Sequence, residues 1–403
     1  MTNKVGFVFS EDFYKYNFGK QHPLNPIRLD LTYKMVEAFN LLDNPNLEII
    51  KPRLATEEEL YLAHERPYVQ FVKKYSSLPP EQFYVDNPRG MYGLGTMDDP
   101  VFEGMYEASA LVAGASMNAA QMVMDDNGID IAFNIGGGLH HASANKAHGF
   151  CIFNDIAIAI QKLRLKRPNL RIMYLDIDAH HGDGVQNIFY DDADVLTVSF
   201  HQDGNTLFPG TGFMEEIGKE KGAHYSINLP LYPRTYDDAY IGVFRTCVPK
   251  IMEAYQPDLF VTQLGVDAHF MDPLTLMGLS TTGFEKIYRD MKEYSEKYAN
   301  GKWLAVGGGG YLMTVVPRAW TLALGIMLEE KIPNEIPEEW IKYCQSKITE
   351  EETPTEMRDR NFRAERQLIK NPMFPVRIDE RISEIEDFIE KQVIPNIKKN
   401  TVE

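Results

Sequence analysis

Cysteine is scarce in this sequence of 403 residues, which contains only Cys151, Cys247 and Cys344. The three are widely spaced and odd in number, so they form neither a disulfide framework nor a CxxC metal site. The amino-terminal segment lacks a signal-peptide pattern. No apolar run approaches the roughly 20 residues that a membrane-spanning helix needs. We therefore predict a protein of the reducing cytoplasm with no membrane partner.

Positive charge is also in short supply. The chain has 41 Lys and Arg against 58 Asp and Glu, a formal net charge of −17 at pH 7. Proteins that bind nucleic acid over their whole surface are usually basic, so no direct nucleic-acid partner is expected. An acidic surface could attract cationic, lysine-rich substrates, but solubility is the preferred explanation.

Short apolar runs alternate with longer amphipathic or Ala-rich segments along most of the chain. The apolar runs predict buried strands at residues 5–9, 47–50, 129–135, 171–178, 195–201, 225–231, 257–267 and 302–306. The segments between them predict helices at residues 27–42, 56–75, 101–124, 155–166, 236–255, 282–299 and 316–329. This alternation predicts an α/β fold with a largely parallel sheet covered by helices on both faces.

Residues 331–403 differ from the rest, because they are charged, contain scattered prolines and lack buried strands. We predict one domain over residues 1–330 and a C-terminal helical extension over residues 331–403. The extension would pack on the outside of the domain and close with a helix at residues 382–397. Packing or an oligomer contact is preferred over a catalytic role there.

Reactive side chains recur where predicted strands end. His140 and His141 follow the strand at 129–135, and His180 follows the strand at 171–178. Asp267 ends the strand at 257–267, and Tyr311 follows the last strand after four glycines. Because parallel sheets bind ligands at the carboxyl ends of their strands, these residues are expected to meet in one site.

Asp176, Asp178 and His180 alternate along the chain, so an extended backbone would direct all three to one side. Buried carboxylates are costly unless they are paired or bind a cation. A solvated loop is the alternative, but the preceding apolar run indicates the interior. Together with Asp267, the motif predicts a site for a divalent metal ion.

The tandem His140 and His141 suggest proton transfer, since imidazole titrates near neutral pH and a carboxylate partner fixes its tautomer. Asp176 and Asp183 are the candidate partners. The glycine run before Tyr311 lacks the residues of a phosphate-binding loop. It could instead present a phenol that stabilises an oxyanion, although most buried tyrosines belong to the core.

Several motifs together resemble the histone deacetylase superfamily, in particular its class I-like branch and, among bacterial members, the acetoin-utilisation deacetylases. The likeness extends from about Lys4 to about Leu328. The motifs occur in family order: Gly136-Gly137-Gly138-Leu139-His140-His141, His148-Gly149-Phe150-Cys151, Asp176-Ile177-Asp178-Ala179-His180-His181-Gly182-Asp183, Phe208-Pro209-Gly210-Thr211-Gly212 and Gly307-Gly308-Gly309-Gly310-Tyr311.

The resemblance implies the arginase-deacetylase fold, with an eight-stranded parallel sheet and helices on both faces. It also implies a site for Zn²⁺, with Fe²⁺ as a rival, because oxygen and nitrogen ligands do not decide between them. The implied metal ligands are Asp178, His180 and Asp267. Five catalytic residues are implied. His141 would be the general base and then the general acid, with Asp183 behind it. His140 with Asp176 would be an electrostatic aid, and Tyr311 would polarise the amide carbonyl.

The resemblance implies further sites around this centre. The implied substrate-binding residues are Phe150 and Phe208 as tunnel walls, Gly149, Leu274, and Asp98 as the rim residue that grips the substrate backbone. Arg28 would line an internal channel for acetate. One structural K⁺ site is implied at Asp176, Asp178, His180, Ser199 and Phe200, and a second at the backbone carbonyls of Phe189, Asp192, Val195 and Tyr225.

The predicted activity is hydrolysis of N-acetyl-lysine in proteins, and the resemblance suggests metabolic enzymes such as acetyl-CoA synthetase among the substrates. An acetylpolyamine amidohydrolase is the first alternative. An arginase-type ureohydrolase is disfavoured because Gly182 stands where the second metal would need a carboxylate, and an inactive acyl-lysine binder is disfavoured by the intact site. Three features depart from the family. Asp99 stands where eukaryotic members usually have cysteine, and the loop at 201–207 and the C-terminal extension also differ.

Overall fold

All eight predicted strands form, and they join one parallel sheet in the computed structural model, which describes residues 4–87, 90–125, 128–359 and 378–397. The sheet order is β2-β1-β3-β8-β7-β4-β5-β6, and every neighbouring pair is parallel. The strands are β1 (Lys4–Val8), β2 (Leu47–Ile50), β3 (Ile129–Asn134), β4 (Ile172–Asp176), β5 (Val195–Gln202), β6 (Ser226–Leu231), β7 (Leu259–Gln263) and β8 (Trp303–Val306). This is the predicted arginase-deacetylase α/β fold.

Helices connect the strands and cover both faces of the sheet, which is why the central strands read as continuous apolar runs. Every residue of β4, β5, β7 and β8 is buried. The helices are α1 (Ile27–Ala38), α2 (Glu57–Leu60), α3 (Arg66–Ser76), α4 (Pro80–Asp86), α5 (Met105–Met124), α6 (Asp155–Lys166), α7 (Asp183–Ile188), α8 (Asp237–Tyr255), α9 (Thr281–Tyr298), α10 (Val316–Met327), α11 (Glu338–Lys347) and α12 (Ile378–Phe388).

The single helix predicted at residues 56–75 is wrong, because two helices occupy that stretch. Thr56 and Glu59 form a capping box at the start of α2, which ends after one turn. Helix α3 begins at Arg66 with Pro67 in its first turn. Proline lacks the N–H of a helical bond and clashes with the preceding turn, so a continuous helix could not pass through Pro67.

Two predicted strands are longer than the observed ones at the end that matters for function. Strand β4 ends at Asp176 and β7 ends at Gln263, so Asp178, His180 and Asp267 lie on the loops that follow. The extended-chain argument for the Asp-x-Asp-x-His motif therefore holds only up to Asp176. The side chains still converge, because the loops turn over the same edge of the sheet.

The C-terminal extension packs against the domain wherever the structure describes it. In α11, the buried Trp340 donates its indole N–H to the carbonyl of Leu31 in α1, at 2.9 Å. The helix predicted at 382–397 forms as α12 and a following π-helical stretch, Ile389–Val393. The division of the chain at residue 330 stays a prediction. None of the helices in the described ranges has the length and apolar character of a membrane span.

Candidate active site

Asp178, His180 and Asp267 form a buried cluster at the carboxyl edge of the sheet. Their potential ligand atoms all lie within 4.8 Å of one another. The Nδ1 atom of His180 is 2.8 Å from Oδ2 of Asp267 and 3.1 Å from Oδ1 of Asp178. Two carboxylates and one imidazole suit a divalent ion and leave positions free for water and substrate, as catalytic sites require.

The ionisation of this cluster is strongly perturbed, which supports the same assignment. Burial and the nearby Asp178 raise the pKa of Asp267 well above its ordinary value. Burial alone would lower the pKa of His180, but the two carboxylates outweigh it and raise that pKa to about 10. Without a metal ion, protons offset the negative charge of the two carboxylates, and a bound cation would take their place.

His140 and His141 each pair with one of the two predicted carboxylates. The Nδ1 atom of His140 is 2.7 Å from Oδ2 of Asp176, and that of His141 is 2.6 Å from Oδ1 of Asp183. Both rings are buried, with centroids 4.0 Å apart. Because Nδ1 is engaged in each case, Nε2 is the atom of His141 that remains for chemistry in the pocket that it lines.

The two imidazoles titrate in opposite directions. Burial would lower the pKa of His140, but Asp176 and Asp178 outweigh it and raise that pKa to about 9. Burial and the neighbouring His140 lower the pKa of His141 to about 4, against the opposing effect of Asp183. At neutral pH, His140 is therefore cationic and His141 is a neutral base.

Tyr311 lines the same pocket as His180 of the three-residue cluster. Its ring centroid is 5.7 Å from that of Phe150 and 6.3 Å from that of His180. Its backbone N–H donates to Oδ2 of Asp272 at 2.9 Å. Burial and the charges of Asp267 and Asp178 raise the pKa of Tyr311 well above its ordinary value. The phenol therefore stays protonated and can donate a hydrogen bond.

A pocket of about 230 Å³ leads to this cluster from the surface. Its lining is Asp98, His141, Gly149, Phe150, His180, Leu207, Phe208, Leu274 and Tyr311. All the predicted substrate-binding residues therefore come together. Gly149 has a positive φ of 54°, and a Cβ there would lie 2.4 Å from the His141 ring, so a larger residue would displace the proposed base.

Two adjacent carboxylates at the mouth of the pocket, those of Asp98 and Asp99, differ in exposure. Asp98 is exposed, and its backbone carbonyl lies 3.1 Å from Nε2 of His22. Asp99 turns inward and is buried, and burial together with the charge of Asp98 raises its pKa well above the ordinary value. Only Asp98 is therefore available to a substrate at the rim.

Comparison with known proteins agrees with this geometry. The histone deacetylase domain model matches residues 22–327. The chain belongs to the histone deacetylase family. It is 45% identical over 341 residues to acetoin utilization protein AcuC of Bacillus subtilis (strain 168), covering 83% of this chain and 85% of that one. It is also 39% identical over 342 residues to histone deacetylase 9 of Arabidopsis thaliana, covering 85% of this chain and 77% of that one.

Solved structures of the family show the same fold. The crystal structure of an HDAC homolog from Aquifex aeolicus matches with a TM-score of 0.82 and 30% sequence identity, covering 95% of this chain and 100% of that one. The chain is thus a hydrolase of the histone deacetylase family and belongs with the AcuC-like deacetylases, as its motifs predicted.

Arg28 lies behind the glycine run, at the inner end of the site. Its buried guanidinium donates to the carbonyls of Gly308 at 2.7 Å and Gly310 at 3.2 Å, and it stacks over Trp320 at 5.3 Å. A cation just beneath Tyr311 is compatible with the predicted acetate channel, which stays a prediction.

Both predicted potassium sites include residues of β5, with Ser199 and Phe200 in the first and Val195 in the second. Asp176 and Ser199 are register partners on β4 and β5, and the Ser199 hydroxyl lies 2.8 Å from Nδ1 of His201. In the second set, the carbonyl of Phe189 accepts the N–H of Asp192, while that of Tyr225 accepts the N–H of Thr197. Potassium binding stays a prediction at both.

Sequence reasoning missed three residues that support the site. Gln263 donates to Oδ2 of Asp178 at 2.7 Å, so it orients a ligand carboxylate. His148, quoted in a motif without a role, has Nδ1 3.2 Å from Oδ2 of Asp183. Asp272 accepts the Tyr311 amide. Only the position of Gln263 near a strand end could have signalled such a role.

Proposed function

We propose that this protein is a metal-dependent deacetylase that hydrolyses the acetyl amide of N-acetyl-lysine in proteins. The observation that carries the proposal is the single pocket of about 230 Å³ that joins an exposed carboxylate, two aromatic walls, a neutral imidazole, a phenol and a three-ligand cluster. Each of these groups has a role in amide hydrolysis of an acyl-lysine side chain.

His141 acts as the proton carrier. Its Nε2 accepts a proton as water adds to the acetyl carbon, and the Nδ1 bond to Asp183 stabilises the resulting imidazolium. When the C–N bond breaks, Nε2 returns the proton to the departing lysine nitrogen. The products are acetate and a free lysine amine. The low pKa of His141 supports this order, because the ring begins neutral.

The negative charge that develops on the acyl oxygen needs a partner that does not depend on solvent. Tyr311 supplies a hydroxyl donor that stays protonated in this environment. A divalent ion held by Asp178, His180 and Asp267 would polarise the carbonyl and make water more acidic. His140, which is cationic beside Asp176, adds favourable electrostatics without taking the proton.

The rim favours protein substrates. Phe150 and Phe208 flank a passage suited to the methylene stem of lysine, and Asp98 can accept hydrogen bonds from the backbone N–H groups on either side of the modified residue. A polyamine has no such amides, although its ammonium groups could pair with the exposed Asp98. Acetylpolyamine hydrolysis is therefore the alternative that experiment has to compare.

Several finer assignments rest on the family resemblance. We propose Zn²⁺ as the default ion with Fe²⁺ as the rival, K⁺ at the two predicted structural sites, and a cytoplasmic location. Acetylated metabolic enzymes such as acetyl-CoA synthetase are the proposed partners.

A direct substrate comparison tests the proposal. Purified protein would be supplied with acetyl-lysine peptides and with N-acetylated polyamines, and acetate release would be measured for each. We expect a higher kcat/KM for the peptides. A preference for polyamines over every peptide would make the alternative correct, and turnover of neither would overturn the assignment.

A further inference from the structure

Residues 351–359 lie in the C-terminal extension, beyond the family domain match that ends at residue 327. Sequence reasoning preferred a packing role for this region. In the structure, however, two carboxylates of the segment bind the loops that carry proposed site residues. They are Glu351 and Asp359.

Glu351 holds the chain directly after Tyr311. Its carboxylate accepts the backbone N–H of Met313 at 3.0 Å, and the N–H and hydroxyl of Thr314, both at 2.9 Å. These donors come just before α10, a helix that has no side-chain cap of its own. A carboxylate from the extension thus satisfies amides at a helix start, where negative charge is favourable.

Asp359 holds the turn directly after Asp267. Its Oδ2 lies 3.0 Å from Nε2 of His269 and accepts the N–H and hydroxyl of Thr281, both at 2.8 Å. Its Oδ1 accepts from Arg318 of α10 at 2.8 Å. One side chain therefore connects the Asp267 turn to the starts of α9 and α10.

The two carboxylates hold the chain segments that support and follow Tyr311. The backbone N–H of Asp272 donates to the carbonyl of His269, and the Asp272 carboxylate accepts the N–H of Tyr311. Asp359 is therefore linked to the backbone N–H of Tyr311 through His269 and Asp272, while Glu351 binds Met313 and Thr314, which follow Tyr311 in the chain. The tyrosine segment is held at both ends.

A third contact involves the last described part of the extension. Arg381 of α12 donates to Oδ2 of the buried Asp203 at 2.8 Å and lies over the ring of Tyr232. Asp203 begins the loop that carries Leu207 and Phe208 into the pocket wall. The extension thus touches three loops around the pocket.

The same segment also has an attachment that touches no pocket loop. Arg358 donates to Glu285, in the second turn of α9, through two bonds, of 2.6 and 2.8 Å. This ion pair fastens residues 351–359 to the domain. It allows attachment to be separated from positioning by mutation.

We propose that the C-terminal extension is part of the catalytic apparatus, with Glu351 and Asp359 as positioning residues that hold Tyr311 in place. The inference rests on the proposed role of Tyr311. A displacement of about 1 Å in a positioned group can lower a rate about 100-fold, so loss of either carboxylate should reduce kcat measurably. KM should change little, because the pocket walls stay in place.

The test is a double-mutant comparison in the full chain loaded with metal. Glu351→Gln and Asp359→Asn would each be made alone and together with Tyr311→Phe, with kcat and KM measured on an acetyl-lysine peptide. Each single variant should lose about 10-fold or more in kcat. In the Tyr311→Phe background the same changes should have almost no further effect, because the group that they position is gone.

Two matched controls separate positioning from general damage. Glu352→Gln removes the same charge from the exposed neighbour of Glu351 and should be silent. Arg358→Met removes the Glu285 pair and the bond to the Ile332 carbonyl but neither carboxylate, so it should lower Tm and lower kcat less than Glu351→Gln or Asp359→Asn does. If Glu351→Gln and Asp359→Asn keep full kcat, or lower it equally with and without the Tyr311 hydroxyl, the inference is wrong.

Comparison of the Tyr311→Phe and Glu351→Gln variants distinguishes failure of the positioning role from failure of the proposed function. A Tyr311→Phe variant with wild-type kcat on the acetyl-lysine peptide would refute the role of Tyr311 and the positioning role, while its hydrolysis of the peptide would still support the proposed deacetylase function. A slow Tyr311→Phe enzyme together with a fully active Glu351→Gln enzyme would refute only the positioning role. If one of the two single variants fails to fold, the other gives the same comparison through an independent contact.

Discussion

Replacing Tyr311 by phenylalanine removes one hydroxyl from the proposed site and little else. The ring contacts with Phe150 and His180 are made by the aromatic face and edge, which phenylalanine retains. The backbone N–H that donates to Asp272 is also unchanged. We therefore expect the variant to fold with a Tm close to that of the wild type.

The kinetic effect should be large, because the hydroxyl is a donor in a buried pocket. Loss of one oxyanion donor typically lowers kcat by about 10²–10³-fold, or about 2.7–4 kcal/mol. The raised pKa of Tyr311 means that the donor is present across the whole neutral range. KM should change far less, since charge develops on the acyl oxygen mainly in the transition state.

The assay is steady-state acetate release from an acetyl-lysine peptide, with Tm and metal content measured on the same preparations. A variant with wild-type kcat would refute the reasoning and leave Tyr311 as a wall residue. A variant that loses metal or unfolds would also count against it, because neither effect follows from a missing hydroxyl.

Three other predictions concern proton transfer and the rim. His141→Ala should lower kcat by about 10²–10⁴-fold, because Nε2 of His141 carries the proton. His140→Ala should lower kcat less, and the reverse order in steady-state kinetics would exchange the two roles. In His140→Gln the acid limb of the pH profile of kcat/KM should move to higher pH. The cation that helps to lower the pKa of His141 is gone, so the pKa of His141 rises and its active, neutral form is lost sooner as pH falls. An acid limb that stays in place would show that another group controls it. Asp98→Asn should lower kcat/KM for a peptide but hardly for an acetyl-lysine analogue without flanking amides, and equal losses on both substrates would remove the gripping role.

Sequence reasoning reached the sheet and the centre of the site for one physical reason. Parallel strands bury both faces, so they appear as apolar runs, and their carboxyl ends meet at one edge where His140, Asp178 and Tyr311 had to converge. The predicted β4 and β7 are too long, because the apolar pattern continues beyond each strand into loops that are also buried around the site.

The supporting contacts could not be predicted in the same way. Gln263, Glu351 and Asp359 act through hydrogen bonds to residues between 37 and 90 positions away along the chain. No periodicity or spacing marks such pairs. The extension looked peripheral because its composition is charged, yet those charges are partly buried against the loops that the site requires.

Metal dependence can be measured by titrating metal into chelator-treated protein. We expect no acetyl-lysine hydrolysis without metal, full recovery at one equivalent of Zn²⁺, Fe²⁺ or Co²⁺ per chain, and weakened metal binding in Asp178→Ala, His180→Ala and Asp267→Ala. Undiminished turnover in protein shown to be free of metal would contradict this expectation.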